Sequence, residues 1–243
     1  GYSPSEGVRG TVGVFHNNLY KRNMRAGAKL SAGTRGNLYE LTFIEPWLIG
    51  PTIGTLRLFE DNLEEQDDTR ARGGTANLAR RLDVYSNLAV QYKYQELRQK
   101  IRPVEALESS QQPAPPEIQS TVSSLGVSFH RDNREPFLNP RSGWLNELAV
   151  EYAGGFIGGE TSFFKFTTDN RFYWQIDKMV LVNALRLGYA RGLRSNRERE
   201  IISFERFRAG GATTVRSYKE RSLGPLDASS STRRGDVLFI YNI

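Results

Sequence analysis

Hydrophobicity in this chain alternates with a period of two residues, which restricts much of it to β-strands with one apolar face. In Leu88 to Tyr94, one face carries Leu88, Val90, Tyr92 and Tyr94, and the other carries Ala89, Gln91 and Lys93. From Trp144 to Tyr152 the apolar face is Trp144, Leu148, Val150 and Tyr152, broken only by Asn146, with Glu147 and Glu151 opposite. Met179 to Tyr189 places Met179, Leu181, Leu185, Leu187 and Tyr189 together, broken once by Asn183, against Val180, Val182, Ala184, Arg186 and Gly188. Asp236 to Ile243 repeats the scheme with Val237, Phe239, Tyr241 and Ile243. The pattern predicts about eleven to twelve antiparallel strands.

A soluble sandwich or a lipocalin-like barrel would alternate too, with apolar side chains turned inward. Two details favour lipid. Aromatic residues cluster at strand ends (Trp144, Tyr152, Tyr92, Tyr94, Tyr189), as in the interfacial girdles of transmembrane barrels. The opposite face carries ionised residues at mid-strand (Lys93, Glu147, Glu151, Arg186), which a water-filled lumen tolerates at little cost. No run approaches the ~20 apolar residues of a membrane helix, and a barrel needs none, because each strand offers lipid only one face.

Connections between strands alternate in length, as an up-and-down barrel with short periplasmic turns and longer outer loops requires. The compact links are 17–23, 45–51, 82–86, 133–143 and 174–178. Between them fall a charge-rich loop at 61–73, a loop at 97–120 with the Pro-rich run 111–116, and the longest at 192–235. Composition narrows the remaining options. The absence of cysteine excludes disulfide scaffolds, thiolate catalysis and Cys-ligated zinc. The net charge of +6 is interspersed and comes without a helix-turn-helix or RNA-binding signature, so no nucleic-acid partner is expected. Gly1 to Gly7 reads as the end of one strand plus a turn, and the chain reads as a segment of something longer.

The longest loop holds the most specific motif: Glu205-Arg206-Phe207-Arg208-Ala209-Gly210-Gly211, then Val215-Arg216-Ser217-Tyr218 and Leu223-Gly224-Pro225. Paired glycines let the backbone turn sharply. The Arg216 guanidinium, set between an apolar residue and an aromatic one, calls for carboxylate or carbonyl partners. This stretch resembles the sixth external loop of the BamA/TamA family of outer-membrane assembly barrels, whose motif centre usually reads Val-Arg-Gly-Phe or Val-Arg-Gly-Tyr. Three shorter segments resemble family turns in the same order. Asn18-Leu19-Tyr20-Lys21-Arg22-Asn23 is similar to the turn between the second and third strands, and Glu45-Pro46-Trp47-Leu48-Ile49-Gly50 to the turn after the fourth. Arg131 to Arg134 with Pro136 and Asn139 to Trp144 is similar to the turn between the eighth and ninth. Each is weak alone, and together they span nearly the whole chain. Ser217 departs from the family glycine, which implies modest strain if a positive φ is kept there.

The resemblance implies an all-β, transmembrane, antiparallel up-and-down barrel of sixteen strands, with residues 1–243 forming part of it. POTRA domains and the last four strands would lie outside this sequence. It implies a bacterial outer-membrane location, a role in inserting β-barrel or autotransporter-type clients through a lateral seam, and no cofactor. Implied partners are outer-membrane lipids and lipopolysaccharide, unfolded barrel clients, and accessory lipoproteins of a BAM-type complex or an inner-membrane-anchored partner. Gly210, Gly211, Val215, Arg216, Ser217, Tyr218, Gly224 and Pro225 would form a loop anchor folded into the lumen. Arg216 would pair with an acidic residue on strand thirteen, beyond this chain, with Glu147 and Glu151 as candidates for secondary contacts. The alternative within the superfamily is a two-partner-secretion translocator. From another class, an outer-membrane hydrolase could use Ser128, His130 and Asp132, but these three share one strand face, which points to wall-lining polarity instead of a positioned triad. Glu64, Glu65, Asp67 and Asp68 lack the ordered ligand spacing of a calcium loop.

Overall fold

The computed structural model describes residues 2–3, 7–34, 36–64, 68–100, 117–193, 205–219, 221–225 and 234–243. Twelve strands form one sheet in strict chain order, each antiparallel to its neighbours. They are β1 (Tyr2–Ser3), β2 (Gly7–Leu19), β3 (Met24–Gly33), β4 (Gly36–Ile49), β5 (Thr52–Glu64) and β6 (Asp68–Arg81). The chain continues through β7 (Ser86–Lys100), β8 (Glu117–Asp132), β9 (Gly143–Ala153), β10 (Phe163–Ile176), β11 (Met179–Gly192) and β12 (Val237–Asn242). Among the described residues no helix is long and apolar enough to cross a membrane, which says nothing about crossing with strands.

Register carries each strand's alternation across the whole sheet, because residues directly opposite one another share a face. One row runs Leu78, Val90, Val127, Val150, Phe166, Tyr189 and Val237 over β6 to β12, apolar without a break. Val127 is 45% exposed and Val237 68%. A continuous apolar surface of this extent would drive association in water, whereas acyl chains solvate it. The opposite face carries Lys93, Glu151, Lys165, Asp169 and Arg186, and the Lys93–Glu151 and Arg186–Asp169 ion pairs mark it as the polar, lumen-type face.

The two asparagines that interrupt the apolar faces are satisfied where they stand. Asn146 is opposite Asn170 and donates Nδ2 to its Oδ1 at 2.9 Å, and Asn170 donates Nδ2 to Thr168 Oγ1 at 2.8 Å. Asn183 accepts a 2.7 Å bond from the Tyr241 hydroxyl. In hydrocarbon an unpaired amide is costly, so a side-chain amide on this face needs such a neighbour. Asn170→Leu, which strands Asn146, is expected to lower stability by about 1 kcal/mol, and the Asn146→Leu/Asn170→Leu pair to recover most of that loss. Urea titration of the protein in lipid vesicles measures both; a double variant worse than the single would contradict the pairing.

The compact turns all fall on one rim. In the β2–β3 turn, Tyr20, Lys21 and Asn23 adopt positive φ, and the Asn18 Oδ1 receives the Asn23 N–H at 2.9 Å. In the β6–β7 turn, Asp83 accepts the N–H groups of Tyr85 at 2.7 Å and Ser86 at 2.9 Å. Those bonds, that of Tyr85 foremost, hold its carboxyl below the usual carboxylate range. In the β8–β9 turn, Asp132 grips Arg134 with both oxygens at 2.8 and 2.7 Å while the guanidinium lies beneath the rings of Phe137 and Tyr173.

The opposite rim differs from the sequence expectation at 61–73. There β5 and β6 stay paired out to Glu64 opposite Asp68, so most of the predicted charge-rich loop is strand. Above the bilayer both faces of a hairpin meet water, so charged residues no longer mark where a ladder stops. Arg72 and Glu96 even pair across β6 and β7 at 2.6 Å. Residues 65–67 and the Pro-rich run 111–116 lie outside the described residues.

Candidate functional site

The connection from β11 to β12 turns back onto the polar face instead of leaving it. Glu205, 5% exposed, accepts from Lys93 Nζ of β7 at 3.1 Å and from Lys165 Nζ of β10 at 2.9 Å. β7 and β10 are three strand spacings apart, about 14 Å along a flat sheet. One carboxylate reaches both because the sheet wraps around the connection. Lys93 also meets Glu151 Oε1 at 2.7 Å, and Ser124 donates its hydroxyl to the same oxygen at 2.6 Å. Two lysines and two glutamates thus close a compact network of alternating charge, the arrangement that largely compensates desolvation of buried ions.

Phe207 seats the next turn. Its backbone exchanges two 2.9 Å hydrogen bonds with Gly235, and its ring lies below Lys165 Nζ, 5.4 Å from the centroid. The ring packs against Ala71, Leu97, Val122, Ala153, Phe163 and Ala190, the buried apolar cluster at the loop-side end of the polar face. It also covers Gly188 of β11, where an added Cβ would stand 2.7 Å from Phe207 Cζ. A residue without a side chain is required at that point of approach. Further along, Arg186, held by Asp169 at 2.6 and 2.9 Å, donates to the Thr213 carbonyl at 3.2 Å.

The predicted motif residues occupy the turn beyond these contacts. Gly210 and Gly211 have φ of 108° and 100°, and Gly224 has 118°, all in the region open chiefly to glycine. The Gly210 N–H donates to Thr214 Oγ1 at 2.9 Å, and the Val215 carbonyl accepts from Gly211 at 3.2 Å and from Tyr218 at 3.1 Å. The Pro225 carbonyl accepts from Arg234 at 2.9 Å. Ser217 is not among the positive-φ residues, so the expected strain is absent: the turn takes its left-handed residues at the glycines and at Arg221. Arg216 and Tyr218 are exposed, and Arg216 forms no hydrogen bond or ion pair with any described residue. Glu151 meets Lys93, and Glu147 meets His130 Nδ1 at 3.3 Å; neither is brought to Arg216. With Asp132 committed to Arg134 and His130 facing Glu147, Ser128, His130 and Asp132 do not assemble as a triad. Among the described residues no cluster of His, Asp and Glu is arranged to hold a metal ion.

Sequence reasoning singled out Lys93, Glu151 and Arg186 only as inward-facing charges, and overlooked Lys165, Gly188 and the special place of Glu205. The available signal was a surplus of mid-strand ions on one face, opposite a loop that begins with its own acid.

An ordered antiparallel sheet with a lipid-type outer face, a charged inner face and a long connection folded inward defines the wall of a transmembrane β-barrel of the outer-membrane kind. The Omp85 superfamily domain matches residues 18–243, and the chain belongs to that superfamily. It is similar to an outer membrane protein assembly factor BamA of Nitratidesulfovibrio vulgaris, 30% identical over 124 residues that make up 50% of this chain and 15% of that protein. It is also similar to a SAM50-like protein of Schizosaccharomyces pombe, 32% identical over 119 residues, 46% of this chain and 24% of the relative. The crystal structure of BamA from Haemophilus ducreyi lacking POTRA domains 1–3 shares the fold at a TM-score of 0.80 and 16% identity, covering 92% of this chain and 45% of that one. The matched regions are thus less than half the length of each of these relatives.

Proposed function

We propose that this chain is barrel wall and inward loop of an outer-membrane machine that inserts β-barrel proteins into the bacterial outer membrane, and not an enzyme. The observation that carries this reading is the connection between β11 and β12, folded onto the charged inner face of a superfamily barrel and bearing Val215-Arg216-Ser217-Tyr218. A barrel seam that pairs weakly exposes backbone donors and acceptors, and an incoming client strand can add to that edge by β-augmentation. Folding of the client supplies the free energy, so neither nucleotide nor metal is needed. The inward loop bears on β7, β10 and β11 of the wall, and Arg216 is its charged tip, available to an acidic partner on wall strands beyond those described. Clients would be unfolded barrel proteins, delivered with the help of accessory lipoproteins, in a membrane whose lipopolysaccharide and phospholipid contact the apolar face.

Arg216→Ala in the full-length protein is expected to lower the steady-state levels of outer-membrane barrel proteins several-fold in cells that depend on it, with its own barrel still formed. Quantitative immunoblotting of outer-membrane fractions measures this. Unchanged barrel-protein levels and unchanged growth would sink the anchor role.

A further inference from the structure

We infer that the outward face of β2 to β7, at the rim opposite the compact turns, binds the phosphorylated glycolipid of the outer leaflet, lipopolysaccharide, with an acyl chain in a furrow and a phosphate between Arg70 and Arg98. The furrow lies between two rows that cross the strands on the lipid side. Val12, Leu30 and Tyr39 stand opposite one another in the upper row, and Ala28, Leu41 and Leu58 in the lower. The space between the rows is about 550 Å³ and is lined mainly by apolar atoms. Ala28 supplies its depth, since a methyl group leaves room that a larger side chain would fill. An open apolar furrow on a lipid-facing wall suits a hydrocarbon chain, which brings no polar group to satisfy.

Charge completes the site. The upper row continues through Glu60, Arg72 and Glu96, where Arg72 is held by Glu96 at 2.6 Å. One row nearer the loops, about 7 Å along the strands, come Asn37, Asn62, Arg70, Arg98 and Gln119 in order. Two guanidinium groups are thus directly opposite with no carboxylate in their row, a placement that costs stability unless an anion stands between them. Both are exposed; Arg70 donates to the Asn62 amide oxygen at 2.7 Å, and Arg98 makes no hydrogen bond or ion pair with any described residue. Glu60 and Glu96 flank this row on the membrane side, and Glu64, Asp68, Lys100 and Glu117 occupy the row on the loop side. The positive charge is therefore confined to one level, which favours a compact anion whose oxygens match the guanidinium forks, as a phosphate does. Tyr39 and Tyr94, exposed just below, mark the membrane interface and set that level at headgroup height. The rim of long loops faces the outer leaflet, and a glycolipid with several chains can lay one in the furrow while its phosphate meets the arginines. The site rests on the outer-membrane location and not on the assembly activity.

Full-length protein in phosphatidylcholine nanodiscs is titrated with fluorescent diphosphoryl lipid A, and heat-modifiable gel mobility separately reports a folded barrel. Saturable binding is expected. The Arg70→Gln/Arg98→Gln pair is expected to weaken it at least about tenfold, as follows from losing two charge-assisted contacts. The Arg70→Lys/Arg98→Lys pair keeps the charges without the forks and is expected to bind with intermediate affinity. Ala28→Trp fills the furrow with an apolar side chain that lipid tolerates, so it is expected to weaken binding several-fold with gel mobility unchanged. Unlabelled phosphatidylglycerol is expected to compete at least about tenfold less well than unlabelled lipid A, since it offers one phosphate and two chains. Absence of saturable binding, or full affinity in the glutamine pair, would overturn the site. Full affinity in Ala28→Trp would remove the furrow from it, and equal competition by phosphatidylglycerol would reduce it to a general anionic-lipid surface; either result overturns the assignment to the glycolipid.

Discussion

Replacing Leu148 with arginine is expected to destabilise the barrel by about 2–4 kcal/mol, while arginine at the next residue, Ala149, should cost less than about 1 kcal/mol. Leu148 is central in β9 on the outer face, opposite Phe129 of β8 and Thr168 of β10, and 42% exposed. A guanidinium there must either enter hydrocarbon or drag water and headgroups inward. Ala149 faces the other way, opposite Ser128 and Thr167, with Glu147 and Glu151 two residues to either side on the same face. An arginine at 149 meets water and acids. Urea unfolding in vesicles, followed by the gel mobility of folded and unfolded forms, gives the two free energies. Equal costs at 148 and 149 would mean that the faces have been assigned wrongly or that neither meets lipid.

Gly188→Val is expected to unseat the inward connection, with a loss of about 1–3 kcal/mol from overpacking. A Cβ at position 188 would fall 2.7 to 3.0 Å from three atoms of the Phe207 ring. That ring cannot simply retreat, because its backbone is doubly bonded to Gly235 and its other side packs on the buried apolar cluster. Valine is itself a favourable strand residue, so β11 should not object to the change. The cost belongs to the contact, and Phe207→Ala in the same chain should return most of it. A double-mutant cycle by urea titration tests this: strictly additive losses would show that Gly188 matters to β11 alone.

The outer face was legible from sequence because lipid imposes one rule on every strand it touches. Val90 and Val150 could be assigned to the apolar sides of their strands before any partner was known, since period two leaves no other choice. The exceptions were visible as exceptions and nothing more. Asn146 interrupts its strand, but that Asn170 of another strand would stand opposite it depends on register, which no single strand encodes. Strand ends beyond the bilayer were misplaced at 61–73 for a related reason: water on both faces removes the pattern, while the backbone ladder continues to Glu64 and Asp68.

The inward loop divides along the same line. Its glycines were readable as turn points, and Gly210, Gly211 and Gly224 do adopt positive φ; Ser217, expected to be strained, does not, because the turn is made on either side of it. By itself the sequence determined an antiparallel, lipid-facing wall of ordered strands and a long connection with a charged tip, since those follow from local periodicity and turn chemistry. Only the tertiary structure decided what holds that connection. Glu205 meets Lys93 and Lys165 across 112 and 40 residues of chain, on strands that approach one another because the sheet curves. Curvature is a property of the whole sheet, so the carboxylate that meets both lysines could not be told from its neighbours until the wall had curved around it.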